Sequence, residues 1–164
     1  MILIGIGGNL ASKRFGPPID TLPAALATLQ TNGIEVVARS AWYLTEPVPP
    51  SKQPWFVNAV AALATDLSAA DLLTMLQMVE AEFGRVRGDI NAARVLDLDL
   101  LDYRGQVTKN PSLVLPHPRL HCRRFVLQPL AEVAPTWRHP LLGLTAEELL
   151  SRLAAKQPIE RLPC

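Results

Sequence analysis

The stretch R-V-L-D-L-D-L-L-D-Y, residues 94–103, decides how this chain is read. Its alternation has the two-residue period of a β-strand, so Leu96, Leu98 and Leu100 turn to one face while Asp97 and Asp99 turn together to the other. Two carboxylates side by side repel, and a strand tolerates them on a solvated face or around a shared cation. Mg²⁺ is the natural candidate, because it needs hard oxygen ligands and is commonly held by one or two carboxylates plus the phosphates of a substrate. On the D-x-D alone, a solvated polar strand face and a metal site both stand.

The residues just before that strand add to the case. F-G-R-V-R-G-D-I-N-A-A-R carries Arg85, Arg87 and Arg94 around a short polar loop. A cationic loop beside a carboxylate pair suits a polyphosphate: Mg²⁺ takes some oxygens and guanidinium groups take others in bidentate fashion. Upstream, 69–83 reads as a helix with Leu72, Leu76, Val79 and Phe83 at helical spacing, and Ser68 followed by Asp71 resembles a capping box. Gln77 and Glu80 are three apart and share another side of it. Gly84 ends it.

The remaining segments read in order. Residues 2–6 form an apolar strand ending in a Gly7-Gly8-Asn9 turn, which completes no G-x-G-x-x-G or Walker pattern and reads as structural. Pro17 and Pro18 open a helix to about Gln30, and Pro23 weakens its first turn. Residues 34–44 and 56–65 read as strands joined by the proline-stiffened T-E-P-V-P-P-S-K-Q-P. Residues 111–118 read as an extended connection, F-V-L-Q-P-L as a short helix or turn headed by Phe125, and 145–153 as a capped amphipathic helix covering the sheet.

Length and composition bound the function. At 164 residues the chain is expected to form one domain over 1–164 that buries roughly two-thirds of its unfolded surface. A net charge of +1 argues against a general nucleic-acid or membrane-surface role. A metal-dependent nuclease would want a basic binding surface that this balance does not advertise. The first residues lack the basic flank of a signal peptide, and no apolar run reaches the length of a membrane span. Cys122 and Cys164 make no disulfide framework, so reduced thiols in a cytoplasmic protein are expected.

G-I-G-G-N-L, S-A-W-Y-L-T-E-P-V, Q-P-W-F-V-N-A-V, F-G-R-V-R, R-V-L-D-L-D-L-L and L-P-H-P-R-L-H-C-R-R-F-V-L-Q-P-L-A-E-V-A-P follow one another in this chain. In order and spacing, over roughly residues 1–140, they resemble the 6-hydroxymethyl-7,8-dihydropterin pyrophosphokinases of folate biosynthesis. The resemblance implies a ferredoxin-like α/β sandwich, with helices packed on a mainly antiparallel sheet. It also implies an ATP-dependent pyrophosphokinase that moves pyrophosphate from ATP to a pterin alcohol and releases AMP.

Residue by residue, the resemblance implies that Asp97 and Asp99 hold two Mg²⁺ ions between ATP and the pterin hydroxyl. It implies that Arg85, Arg87 and Arg94 close over the phosphates, with Asp97, Asp99, Arg85 and Arg94 as the catalytic set. Gln77, Glu80, His117 and Arg123 fall on the ATP side. Phe56 and Phe125 match an aromatic pair that sandwiches the pterin, Asn58 matches the residue bonding its polar edge, and Thr45, Pro47 and Val48 match the loop that completes the pocket. The expected partners are these small molecules, with neither nucleic acid nor membrane, and the expected state is a monomer. Relatives carry W-G-P-R where this chain has Asn91-Ala92-Ala93-Arg94, and Val114, Pro118 and Pro49-Pro50 also depart from the family pattern. The alternatives are a paralogue acting on a related pterin, with the altered loop as its support, and a pterin- or nucleotide-binding protein without turnover.

Overall fold

The structure is a computed structural model and describes residues 1–86, 88, 90–154 and 157–164. It is a mixed α/β fold in which four helices pack on a mainly antiparallel sheet. In chain order the elements are β1 (Ile2–Gly8), α1 (Pro18–Thr31), β2 (Glu35–Arg39), β3 (Tyr43–Thr45), β4 (Phe56–Ala64), α2 (Ala69–Glu82), β5 (Asp97–Tyr103), β6 (Thr108–Asn110), β7 (Leu113–Leu115), a 3₁₀ turn (Leu120–Cys122), α3 (Arg124–Val133), α4 (Ala146–Ser151) and β8 (Ile159–Arg161). The main sheet runs β5-β1-β4-β3-β8, with β2 beside the far half of β4, and β6 pairs only with β7. Among the described residues, no helix is long and apolar enough to cross a membrane.

Strand alternation sorts the side chains into two cores. Ile2, Ile4 and Ile6 of β1 join Leu98 and Leu100 of β5 in packing against Leu22, Leu26 and Leu29 of α1 and Leu72, Leu76 and Val79 of α2. On the opposite face Leu3, Val60, Ala62 and Leu101 meet Val126, Leu127 and Leu130 of α3 and Leu149 of α4. Burial of these side chains is the main favourable term in the fold. The aspartates of β5 lie on this second face, since Asp97 and Asp99 alternate with Leu98 and Leu100.

Several local readings shift. The first strand runs on through Gly8 instead of stopping before Gly7. Residues 34–44 form two strands, β2 and β3, because the Ser40 hydroxyl accepts the Val60 N–H (3.1 Å) and stands in for a strand carbonyl. The 111–118 region is not one extended run but supplies the turn and second strand of a hairpin with β6: the Asn110 side chain accepts the Ser112 N–H (3.1 Å) and turns β6 into β7. Ser68 does cap α2 by accepting the Asp71 N–H (3.1 Å), and Thr145 and Glu148 form a full reciprocal capping box on α4.

A buried polar contact ties the segment before α4 to β5. Trp137 Nε1 donates to Asp102 Oδ2 (2.7 Å), and Asp102 Oδ1 accepts the Gly105 N–H (2.8 Å). Trp137→Phe keeps an aromatic ring but loses the pyrrole half of the indole with its N–H and strands a buried carboxylate oxygen, so we expect a loss of about 1–3 kcal/mol, read as a lower denaturation midpoint at unchanged slope.

Candidate active site

Glycines open the site. On the α3 face Gly7 of β1 lies between Asn58 of β4 and Asp97 of β5, and Gly5 lies between Val60 and Asp99. With no Cβ at either position, β1 is a bare trough, walled by the β4 side chains on one side and the two carboxylates on the other. Asn9, the next residue beyond β1, ties down what overhangs the trough. Its Oδ1 accepts the Arg94 N–H (2.9 Å), while its Nδ2 donates to Gln53 Oε1 and to the Pro54 carbonyl (2.9 Å each).

Two cavities meet there. The smaller, about 300 Å³, has Gly5, Ile6 and Gly7 in its lining, together with Thr45, Pro47, Val48, Phe56, Asn58 and Phe125. The larger, about 560 Å³, is lined by Gln77, Glu80, Arg85, Arg94, Asp97, Asp99, His117 and Arg123. Arg94, Asp97, Asp99 and Arg123 line both. Every sequence-predicted site residue is thus gathered at these two cavities except Arg87, which lies outside the described residues.

The polar contacts differ from group to group. Asp97 is held by Arg85 Nη1 on Oδ1 (2.6 Å) and by Arg94 Nη1 on Oδ2 (3.1 Å). Among the described residues no donor bonds Asp99. Burial and the neighbouring Asp97 charge push the Asp99 carboxyl up from 3.8 to about 6. A carboxylate pair left with this repulsion fits a hard divalent cation. Among the described residues no group of three or more His, Cys, Asp or Glu gathers.

Glu80 does not face the cavity as a free carboxylate. It is buried, its Oε2 accepts the Leu98 N–H (3.0 Å), and it pairs with Arg85. It therefore joins α2 to β5 and aims Arg85 at Asp97. Gln77, one turn earlier on α2, is exposed on the wall of the larger cavity. His117 donates its N–H to the Leu101 carbonyl (2.9 Å), and its Nδ1 accepts the Arg119 N–H (3.2 Å), which leaves Nε2 to carry the ring proton. Burial, with Arg123 and Arg119 close by, lowers His117 to about 4, so it is a neutral donor at pH 7. Burial, then Arg119, lowers the Arg123 guanidinium below its ordinary value, a crowding of positive charge that an anionic ligand would relieve.

On the other wall, Thr45 Oγ1 accepts from Asn58 Nδ2 (2.7 Å), fixing the amide so that its oxygen overlies Gly7. Arg123 stacks its guanidinium over Phe125, 5.3 Å from the ring centroid. Arg119 and Gln53 were not singled out by sequence reasoning. Arg119 lines both cavities, and Gln53 Nε2 donates to the Asn91 carbonyl (3.0 Å). The signal for Arg119 was its place in L-P-H-P-R beside His117. Asn91, in the N-A-A-R stretch that departs from the W-G-P-R the resemblance implies, is exposed and adopts a left-handed backbone (φ 65°).

The chain is similar in sequence to several known proteins. The chain is 41% identical over 163 residues to a 2-amino-4-hydroxy-6-hydroxymethyldihydropteridine pyrophosphokinase of Pseudomonas aeruginosa, covering 99% of this chain and 96% of that protein. A protein of the same name from Synechocystis is 39% identical over 152 residues, covering 92% of this chain and 75% of its own length. One from Haemophilus influenzae is 41% identical over 132 residues, 80% of this chain and 79% of that protein. The model of the 7,8-dihydro-6-hydroxymethylpterin-pyrophosphokinase family matches residues 3–135, which takes in both walls of the trough, the carboxylates of β5 included. A match of that extent makes the chain a member of the 7,8-dihydro-6-hydroxymethylpterin-pyrophosphokinase family.

Proposed function

We propose that the chain transfers pyrophosphate from ATP to the hydroxymethyl group of 6-hydroxymethyl-7,8-dihydropterin in folate biosynthesis, and that it acts as a cytoplasmic monomer. The observation that carries this reading is the shared wall: an apolar cavity and a larger polar one abut at Asp97 and Asp99. Two substrates seated on either side of those carboxylates have their reacting atoms brought to one place. The pterin lies between Phe56 and Phe125 with Asn58 on its polar edge, and Thr45, Pro47 and Val48 close the pocket. ATP takes the larger cavity, where Gln77 lies on the wall and His117 and Arg123 meet its phosphates.

In the reaction the pterin hydroxymethyl oxygen bonds to the β-phosphorus of ATP, the bond from that phosphorus to the α,β-bridging oxygen breaks, AMP leaves with the bridging oxygen, and the alcohol proton is released. Such transfers depend mostly on alignment and on neutralising charge over the phosphate oxygens. Arg85 and Arg94 supply donors in a rigid fork for those oxygens. Asp97 and Asp99 would hold two Mg²⁺ ions, which when bound supply charge neutralisation and a more acidic alcohol. Neutral His117 donates Nε2–H without adding to the positive charge around Arg119 and Arg123.

AMP release from ATP and Mg²⁺, with and without the pterin, tests the reading. AMP formed only with the pterin is the expected result. ATP binding with no AMP in the presence of the pterin would sink it. Phe56→Ala is expected to raise the KM for the pterin by about tenfold or more, with ATP affinity kept, because it removes one face of a stacked pair.

A further inference from the structure

We propose that Gln157 is a positioning residue for the pterin, bracing both walls of the smaller cavity from behind; this rests on the pterin occupying that cavity. Gln157 lies beyond the residues matched by the family model, in the segment that returns from α4 to the sheet. There β8 pairs with β3, Ile159 opposite Thr45 and Arg161 opposite Tyr43. At the entry to β8 the Gln157 amide makes two contacts in opposite directions. Its Nε2 donates to the Glu46 carbonyl (2.7 Å), and its Oε1 accepts the Phe125 N–H (3.2 Å).

Those partners belong to different walls. Glu46 sits in the loop that carries Pro47 and Val48, and Phe125 carries the opposing ring. No side chain caps α3 at Arg123, so the Phe125 N–H is one of the amides a helix start leaves unpaired, and Gln157 supplies the acceptor. Two backbone-directed contacts flank the amide: Arg124 Nη1 donates to the Gln157 carbonyl (3.0 Å), and the Glu46 N–H donates to the Pro158 carbonyl (3.2 Å). A single planar amide therefore sets the spacing between the 46–48 loop and the Phe125 ring. A cavity held at its bound width spares the ordering cost that a loose pocket imposes on each binding event. The pairing of β8 with β3 uses main-chain groups and survives replacement of the side chain.

The test uses the full chain with Gln157→Met, which keeps length and bulk but loses both hydrogen bonds, and Gln157→Glu, which keeps the acceptor alone. Steady-state KM for the pterin and equilibrium binding of a non-hydrolysable ATP analogue are measured on each. Gln157→Met is expected to raise the pterin KM about thirtyfold, the sum of two ordinary hydrogen bonds, with ATP-analogue affinity held within about twofold and Gln157→Glu in between. An unchanged pterin KM, or loss of ATP-analogue affinity in step with it, overturns the proposal. Phe125→Ala separates this from the cavity assignment: if Phe125→Ala raises the pterin KM and Gln157→Met does not, the brace alone fails. If Phe125→Ala also leaves the pterin KM unchanged, the assignment of the cavity fails with it.

Discussion

Asp97→Ala and Asp99→Asn are each expected to lower turnover by about a hundredfold or more, the scale of losing one preorganised electrostatic group. The two differ in what they do to the metal-free fold. Asp97 is the anchor shared by Arg85 and Arg94, so its removal leaves Arg85 on Glu80 alone and takes from Arg94 its carboxylate partner. Asp99 has no such partner among the described residues and carries a carboxyl raised to about 6 by burial and by Asp97. A raised carboxyl pKa means the folded state holds its proton more tightly than the unfolded chain does. The associated stability is fully present below the ordinary value of 3.8 and is lost as pH rises through about 6. At pH 8 without metal the protein bears that repulsion in full, and Asp99→Asn removes it. Thermal unfolding in EDTA should therefore show Asp99→Asn at least as stable as the parent at pH 8, although it turns over far more slowly. Mg²⁺ should raise the parent's Tm more at pH 8 than at pH 5, where Asp99 is protonated. A fall in activity matched by a fall in Tm would instead assign Asp99 a role in the fold.

The reason this pair was legible is that β5 advertises it. A period of two from Leu96 to Leu100 places Leu96, Leu98 and Leu100 in one core and Asp97 and Asp99 on the other face, and no long-range knowledge is needed to see it. The helix over Ala69–Glu82 and the capped Ala146–Ser151 were equally legible, since their apolar spacing and caps lie within a few residues. What stayed hidden depends on partners distant in sequence. β8 is three residues long with no usable period, and only its pairing with β3 makes it a strand. The break between β2 and β3 depends on the Ser40 hydroxyl meeting Val60. Helical spacing puts Glu80 on a side with Gln77, but its burial beneath Arg85 and β5 depends on a strand that begins seventeen residues on, at Asp97. Thr45, Pro47, Val48, Phe56, Asn58 and Phe125, which line the smaller cavity alone, came from a motif resemblance; periodicity alone offered only that Phe56 and Asn58 face the same way.

The two glycines at the end of β1 are expected to fail in different ways, which is a sharper test of the trough than either alone. At Gly8 an added Cβ would collide with the backbone carbonyl of Val95, just before β5, and a backbone carbonyl cannot move aside as a flexible side chain can. Gly8→Ala must separate β1 from the segment that carries Arg94, so a stability loss of about 2–4 kcal/mol is expected, with activity per folded molecule falling as well. At Gly7 the Cβ would instead meet the Asn58 side-chain oxygen, and a side chain can rotate where a backbone cannot. Rotation would break the Asn58–Thr45 hydrogen bond (2.7 Å) and carry the amide away from the floor of the smaller cavity. Gly7→Ala should therefore keep most of its stability, with a loss near 1 kcal/mol, about one hydrogen bond, yet raise the pterin KM by about tenfold or more and leave ATP affinity alone. Denaturant midpoints and separate KM values for the two substrates distinguish the cases. Were Gly7→Ala to weaken ATP as much as pterin, the trough would not be the pterin floor, and the division of the site into two cavities by substrate would fall.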